Sequence, residues 1–142
     1  MKENVTIELN SAPLEANKNF VREALHEFNV QKIGKDEEMS FFAYDENRKI
    51  IGGLILYAEM RSIFIDILWV CENHRGYGIG SELMRAAEEE GYRRGVTYST
   101  TDTLAFQAAR FYQKLGYHEI GVVKDYIEGH DRIFFRKALT RE

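Results

Sequence analysis

The chain has 142 residues, 44% of them hydrophobic and 30% charged, with a formal net charge of −4. This is ordinary globular composition, long enough to bury a core as one domain, residues 1–142. No apolar run reaches membrane-spanning length, and the negative charge argues against nucleic acid as a bulk partner.

Met1-Lys2-Glu3-Asn4 lacks the apolar core of a signal peptide, so a cytoplasmic location is expected. Val5 to Leu9 alternates apolar and polar residues and predicts a strand. Asn17 to Phe28 carries Phe20, Val21, Leu25 and Phe28 at helical spacing. Residues Asn29 to Glu38 read as a loop or a short helical turn. Met39 to Tyr44 and Lys49 to Glu59 predict a hairpin around Asp45-Glu46-Asn47-Arg48. Ser62 to Val70 is a longer apolar strand, expected at the centre of a sheet and buried on both faces, with Trp69 in the core. By period two, Asp66 shares a face with Leu68 and Val70.

A helix from about Ile79 to Arg94 follows, its stripe made by Ile79, Leu83, Ala86 and Ala87 and its cap by Gly95. Val96 to Thr101 predicts a strand parallel to Ser62–Val70, because a crossover helix joins them. Phe106 to Leu115 reads as a short helix. Tyr117 to Ile127 and Arg132 to Leu139 form a final antiparallel pair. The fold class is therefore α/β, a single mixed, twisted sheet of about seven strands flanked by helices.

Between the long strand and its helix lies Arg75-Gly76-Tyr77-Gly78-Ile79-Gly80, with three glycines in five residues. Such a turn lets backbone N–H groups approach a ligand, and the helix adds unpaired N–H groups and the positive end of its dipole. The combination suits a pyrophosphate. It is neither a Walker A turn, which needs Gly-Lys-Ser/Thr, nor Gly-x-Gly-x-x-Gly, since Ser81 replaces the third glycine. About thirty residues on comes Phe111-Tyr112-Gln113-Lys114-Leu115-Gly116-Tyr117. Together the two segments resemble the GNAT superfamily of acyl-CoA-dependent N-acyltransferases. Arg75, Gly78 and Gly80 match its Arg/Gln-x-x-Gly-x-Gly/Ala element. Phe111 to Tyr117 matches its aromatic-Tyr-x-Lys-x-Gly-aromatic element.

The resemblance implies acetyl-CoA as acetyl donor, with a primary amine of a small molecule or peptide as acceptor, attacking directly in a ternary complex. It implies that the backbone of Arg75, Gly76, Tyr77, Gly78, Ile79, Gly80 and Ser81 wraps the pyrophosphate. It also implies that Leu68, Trp69 and Val70 offer backbone groups to the pantetheine arm and the thioester carbonyl, beside Phe111. Tyr112 would protonate, or donate a hydrogen bond to, the leaving thiolate. An amine with a pKa near ~10.4 is neutral in only about one part in ~2,500 at pH 7, a handicap of roughly 4–5 kcal/mol, so a base or water chain must remove its proton or the site must depress its pKa. Asp66 is the candidate, since an unpaired carboxylate inside so apolar a strand would be costly. Glu59 and Glu72 read as solvated or ion-paired carboxylates; His74 could also serve as the base, but its position just before Arg75 suggests a solvent-facing loop. Many members of the superfamily carry Asn seven residues before the tyrosine. Here the residue is Ala105, and Gln107 is the candidate replacement.

Cys71, the only cysteine, cannot form an internal disulfide, and the four scattered histidines offer no metal-ligand pattern, so no metal is expected. No membrane partner is expected. Sheet extension through Tyr117–Leu139 is one route to a homodimer. The alternative function is a non-catalytic acyl-CoA-binding or regulatory module, which would keep the glycine turn and need neither Tyr112 nor a base.

Overall fold

The computed structural model describes residues 4–34 and 36–140. Contacts divide the chain into two compact units, residues 1–35 and 36–142. In the first, α1 spans Glu15–Ile33. Glu15 sits in its first turn, where a negative charge complements the dipole, and pairs with Lys18 at 2.6 Å. The helix continues through residues expected to form a loop or turn and stops at Gly34, whose φ is 89°. Val5 to Leu9 form no strand. Alternation signals a half-buried surface but supplies no pairing partner.

The second unit carries six strands: β1 (Asp36–Tyr44), β2 (Ile50–Glu59), β3 (Ser62–Val70), β4 (Tyr98–Leu104), β5 (His118–Ile127) and β6 (His130–Ala138). Helix α2 (Ile79–Arg93) joins β3 to β4, and α3 (Ala109–Lys114) joins β4 to β5. The sheet order is β1-β2-β3-β4-β6-β5, and among the described residues only β3 and β4 run parallel. The expected mixed sheet is present, with six strands formed. Leu83, Met84 and Ala87 of α2 close the core over Leu54, Leu56, Ile63 and Ile65. Among the described residues no helix is long and apolar enough to cross a membrane.

Two irregularities of β3 shape the site. The first is a fork. β3 and β4 pair only from Ser62↔Tyr98 to Ile65↔Thr101, although both strands continue. At the last shared rung the Thr101 hydroxyl donates to the Ile65 carbonyl at 2.9 Å. Beyond it, β3 keeps β2 as neighbour as far as Val70, while β4 keeps β6 as far as Leu104. The second is a bulge. Leu54 and Leu56 of β2 stand opposite Leu68 and Ile65, so three steps along β3 match two along β2 and Asp66 is left over. The extra residue brings Leu68 and Val70 back against the core with Ile63 and Ile65. Two expectations fall with it. Strict period two does not hold across Asp66. Nor is β3 buried on both faces, since Asp66, Ile67 and Trp69 are exposed.

A candidate acyl-transfer site at the fork

Each arm of the fork ends differently. On β4 the backbone is closed off locally. The Ala105 N–H donates to the Asp131 carbonyl at 2.8 Å, and the Ala108 N–H donates to the Thr103 hydroxyl at 3.3 Å. The Gln107 carboxamide oxygen accepts from the Leu104 N–H at 3.1 Å and from the Thr103 hydroxyl at 3.2 Å. A ligand contact from the Gln107 side chain therefore falls to its nitrogen. On β3 the terminal Val70 carbonyl accepts from Arg75 Nε at 3.0 Å. The motif arginine thus ties the glycine turn to the free arm of the fork.

The turn itself is built from conformation. Gly76 and Gly78 have φ of +86° and +83°, and a Cβ added at either would meet nothing within 4 Å. The positive φ demands glycine, and the space in front of both residues is open. Gly80 has a different reason to be glycine, because its Cβ would stand 3.3 Å from Phe111 Cζ. Glycine at 80 lets the first turn of α2 seat against the Phe111 ring. Gly78 is the N-cap of α2 and has no side chain to bond the first-turn N–H groups. Those donors stay free for an anion.

Two adjoining cavities result. One, of about 440 Å3, runs over the turn, with Arg75, Gly76, Gly78, Gly80, Ser81 and Phe111 among its lining. The other, of about 700 Å3, occupies the fork between β3 and β4. Asp66, Leu68, Trp69, Asp102, Gln107 and Tyr112 are among its walls. Leu68, Val70, Arg75 and Ala108 line both. Of the residues expected to hold the donor or carry the chemistry, only Tyr77 touches neither cavity; it points to solvent, 81% exposed. Trp69, expected in the core, is 48% exposed and lines the fork.

Tyr112 stands where core meets cleft. It is 5% exposed, with Phe111, Tyr117 and Phe135 against its ring at centroid distances of 5.3, 5.8 and 6.0 Å. Burial raises its phenol above the ordinary value; the Thr101 hydroxyl opposes that shift, and Asp102 adds to it. The phenol therefore keeps its proton at neutral pH. Asp66, expected inside an apolar strand, is exposed on the bulge, so no burial penalty bears on it.

Sequence reasoning missed the place of two titratable wall residues. Asp102, paired with Arg132 of β6, lies directly beyond the last shared rung. No sequence signal gives the β3–β4 register that places it and Asp66 in the walls of one cavity. His74, expected in a solvent-facing loop, sits in a 3-10 turn and lines the turn cavity, and its Nδ1 is buried without a hydrogen-bond partner among the described residues.

Behind Tyr112 a polar chain fastens α2 to the sheet. The Tyr117 hydroxyl lies 2.7 Å from Ser99 Oγ and donates to Glu88 at 3.0 Å, and Lys137 donates to Glu88 at 2.7 Å. Burial, then the Glu88 charge, pushes the Tyr117 phenol far up. Both folded phenols thus titrate above the unfolded value of 10.0. The unfolded chain sheds these protons first, so their stabilisation is complete below about pH 10 and is lost as pH rises through and beyond it. The urea midpoint should hold between about pH 7 and 9 and fall by about pH 11, with a smaller fall in Tyr117→Phe. A midpoint constant up to that pH would contradict the burial of these phenols.

A family model for the acetyltransferase (GNAT) family matches residues 6–117. The chain belongs to that family. It is thereby an acyltransferase of the N-acetyltransferase class. It is 33% identical over 107 residues to the blasticidin-S acetyltransferase of Streptomyces morookaense, covering 75% of this chain and 79% of that one. The crystal structure of an acetyltransferase from Bacillus cereus ATCC 14579 aligns with a TM-score of 0.77 at 30% identity, over 92% of this chain and 97% of that one. An aminoglycoside 6'-N-acetyltransferase complexed with coenzyme A aligns with a TM-score of 0.67, over 97% and 99%. At 17% identity that last likeness concerns the fold alone.

Proposed function

We propose that this GNAT enzyme takes an acetyl group from acetyl-CoA and transfers it in the fork to the primary amine of a small molecule, in a ternary complex. The observation that carries this reading is the fork itself. A length of β3 from Asp66 to Val70 is unpaired on its β4 side and leads, through the 3-10 turn Glu72–His74, into a glycine turn with free helical N–H groups. An extended arm with a pyrophosphate at its end fits that sequence of features. The open space before Gly76 and Gly78 and the unpartnered Nδ1 of His74 in the same cavity support the fit. The donor would be held by the turn from Arg75 to Ser81, by the backbone of Leu68 to Val70 and by Phe111 and Gln107. It supplies the thioester.

The residues then divide the proton work. Asp66 accepts one proton from the incoming ammonium, which leaves a neutral nitrogen. As that nitrogen bonds to the acetyl carbon and the carbon–sulfur bond breaks, Tyr112 donates a hydrogen bond to the departing sulfur. A thiol is a stronger acid than a phenol, and burial pushes this phenol up further, so complete proton transfer from Tyr112 is uphill. Tyr112 therefore stabilises charge, and the nitrogen's second proton ends on the thiol, giving amide and free CoA.

Support for a small acceptor comes from the relative named for blasticidin S. The family match crosses both compact units, which favours residues 1–142 acting as one N-acetyltransferase domain. The test is thiol release from acetyl-CoA over a panel of primary amines that includes blasticidin S. Amine-dependent release, with the acetylated amine found by mass, is expected. Tight acetyl-CoA binding with no transfer to any amine would instead support a binding module.

A further inference from the structure

Tyr112 stands on a helix that cannot hold it alone. α3 has six residues, and its N-cap, Ala108, offers no side-chain bond to the first turn. A helix of that length has no stability of its own in water. Tyr117 fixes its far end. The Tyr117 N–H donates to the Tyr112 carbonyl at 3.0 Å, and the two rings meet edge to face at 5.8 Å. The Tyr117 hydroxyl is held in turn by Ser99 of β4 and Glu88 of α2, and Glu88 accepts from Lys137 of β6. The Lys137 stem lies over the turn between the two tyrosines, where a Cβ on Gly116 would stand 3.5 Å from its Cε. The chain of bonds thus ties α3 to α2, β4 and β6 through one phenol.

Stability alone does not account for that chain. Ser99 is fully buried, and the Glu88 and Lys137 side chains are only 16% and 29% exposed. Taking a hydroxyl, a carboxylate and an ammonium out of water costs about what their mutual bonds return, and apolar side chains of like size often serve stability as well. What the bonds add is direction, because each has a preferred length and angle. We infer that Tyr117, with Glu88 and Lys137 behind it, is a positioning residue for Tyr112 in acetyl transfer. This rests on the transfer reading above. The bond from the Tyr112 phenol to the departing sulfur weakens steeply with misalignment, so a small tilt of α3 is felt in kcat. Donor binding is felt less, since the glycine turn and the β3 arm lie on other elements and Phe111 keeps its seat on Gly80.

Tyr117→Phe keeps the ring and removes the hydroxyl. It should lower kcat about three- to tenfold and leave the KM for acetyl-CoA within about twofold. Lys137→Met should lower kcat in the same sense, and Lys137→Arg, which keeps a donor for Glu88, should restore it to within about twofold of the unaltered protein. The deciding measurement repeats Tyr117→Phe in a Tyr112→Phe background. With no phenol left to position, the second substitution should change kcat by less than about twofold. Should Tyr117→Phe fail to fold, Lys137→Met, which opens the chain at its more exposed end, takes its place in the same cycle. Equal losses in the two backgrounds, a loss that falls on the KM for acetyl-CoA, no loss at all, or no rescue by Lys137→Arg would overturn the inference. Failure of the unaltered protein to acetylate any amine would overturn the transfer reading, and the inference with it.

Discussion

Tyr112→Phe is expected to lower kcat by about 10–100-fold while leaving the KM for acetyl-CoA within about twofold. The substitution removes one oxygen and keeps the ring, so the contacts with Phe111, Tyr117 and Phe135 persist. Thr101 keeps its own bond to the Ile65 carbonyl, so the change strands no buried hydroxyl. The loss is a hydrogen bond that strengthens as charge gathers on sulfur. Bonds to charged groups are worth about 1.5–3 kcal/mol, which sets the size of the effect. Initial velocities at saturating amine give the answer. An unchanged kcat would remove Tyr112 from the chemistry and leave it a core residue.

Gly78→Val is expected to weaken acetyl-CoA binding by about 100-fold or more, with a modest loss of stability. At φ +83° a side chain costs roughly 1–2 kcal/mol, and valine is stiff at its first torsion. Its Cβ meets no protein atom, so the free protein can accommodate it. The isopropyl group would fill the space from which the turn presents its N–H groups. Gly95→Val is the control, because Gly95 follows the other end of α2 with φ +79° and equally open surroundings. Both variants should melt a few degrees low; only Gly78→Val should lose the ligand. Calorimetric titration separates the two effects. Equal binding by both variants would mean that the turn is only a turn.

The contrast between these glycines shows what sequence can disclose. Gly76, Gly78 and Gly80 announce a ligand turn because their spacing, the apolar strand before them and the helix after them are all local. Tyr112 follows from the second motif. The fork is not local. Its existence depends on pairing between β3 and β4 that ceases after Ile65 and Thr101, and no pattern within either strand records where pairing ends. The same holds for Asp66, whose residue type was legible while its bulge was not, because the bulge is a mismatch in count between two strands. Asp102 escaped for that reason too. Val5 to Leu9 shows the reverse, a regular alternation with no pairing to realise it.

Amide hydrogen exchange with and without acetyl-CoA tests the central claim most directly. An arm lying along the free edge of β3 and a pyrophosphate over the turn should slow exchange in two stretches, 66–70 and 76–81, and leave the β1–β2 hairpin unaltered. Protection elsewhere with none in those stretches, or none at millimolar acetyl-CoA, would contradict the assignment of the fork as the acetyl-CoA site.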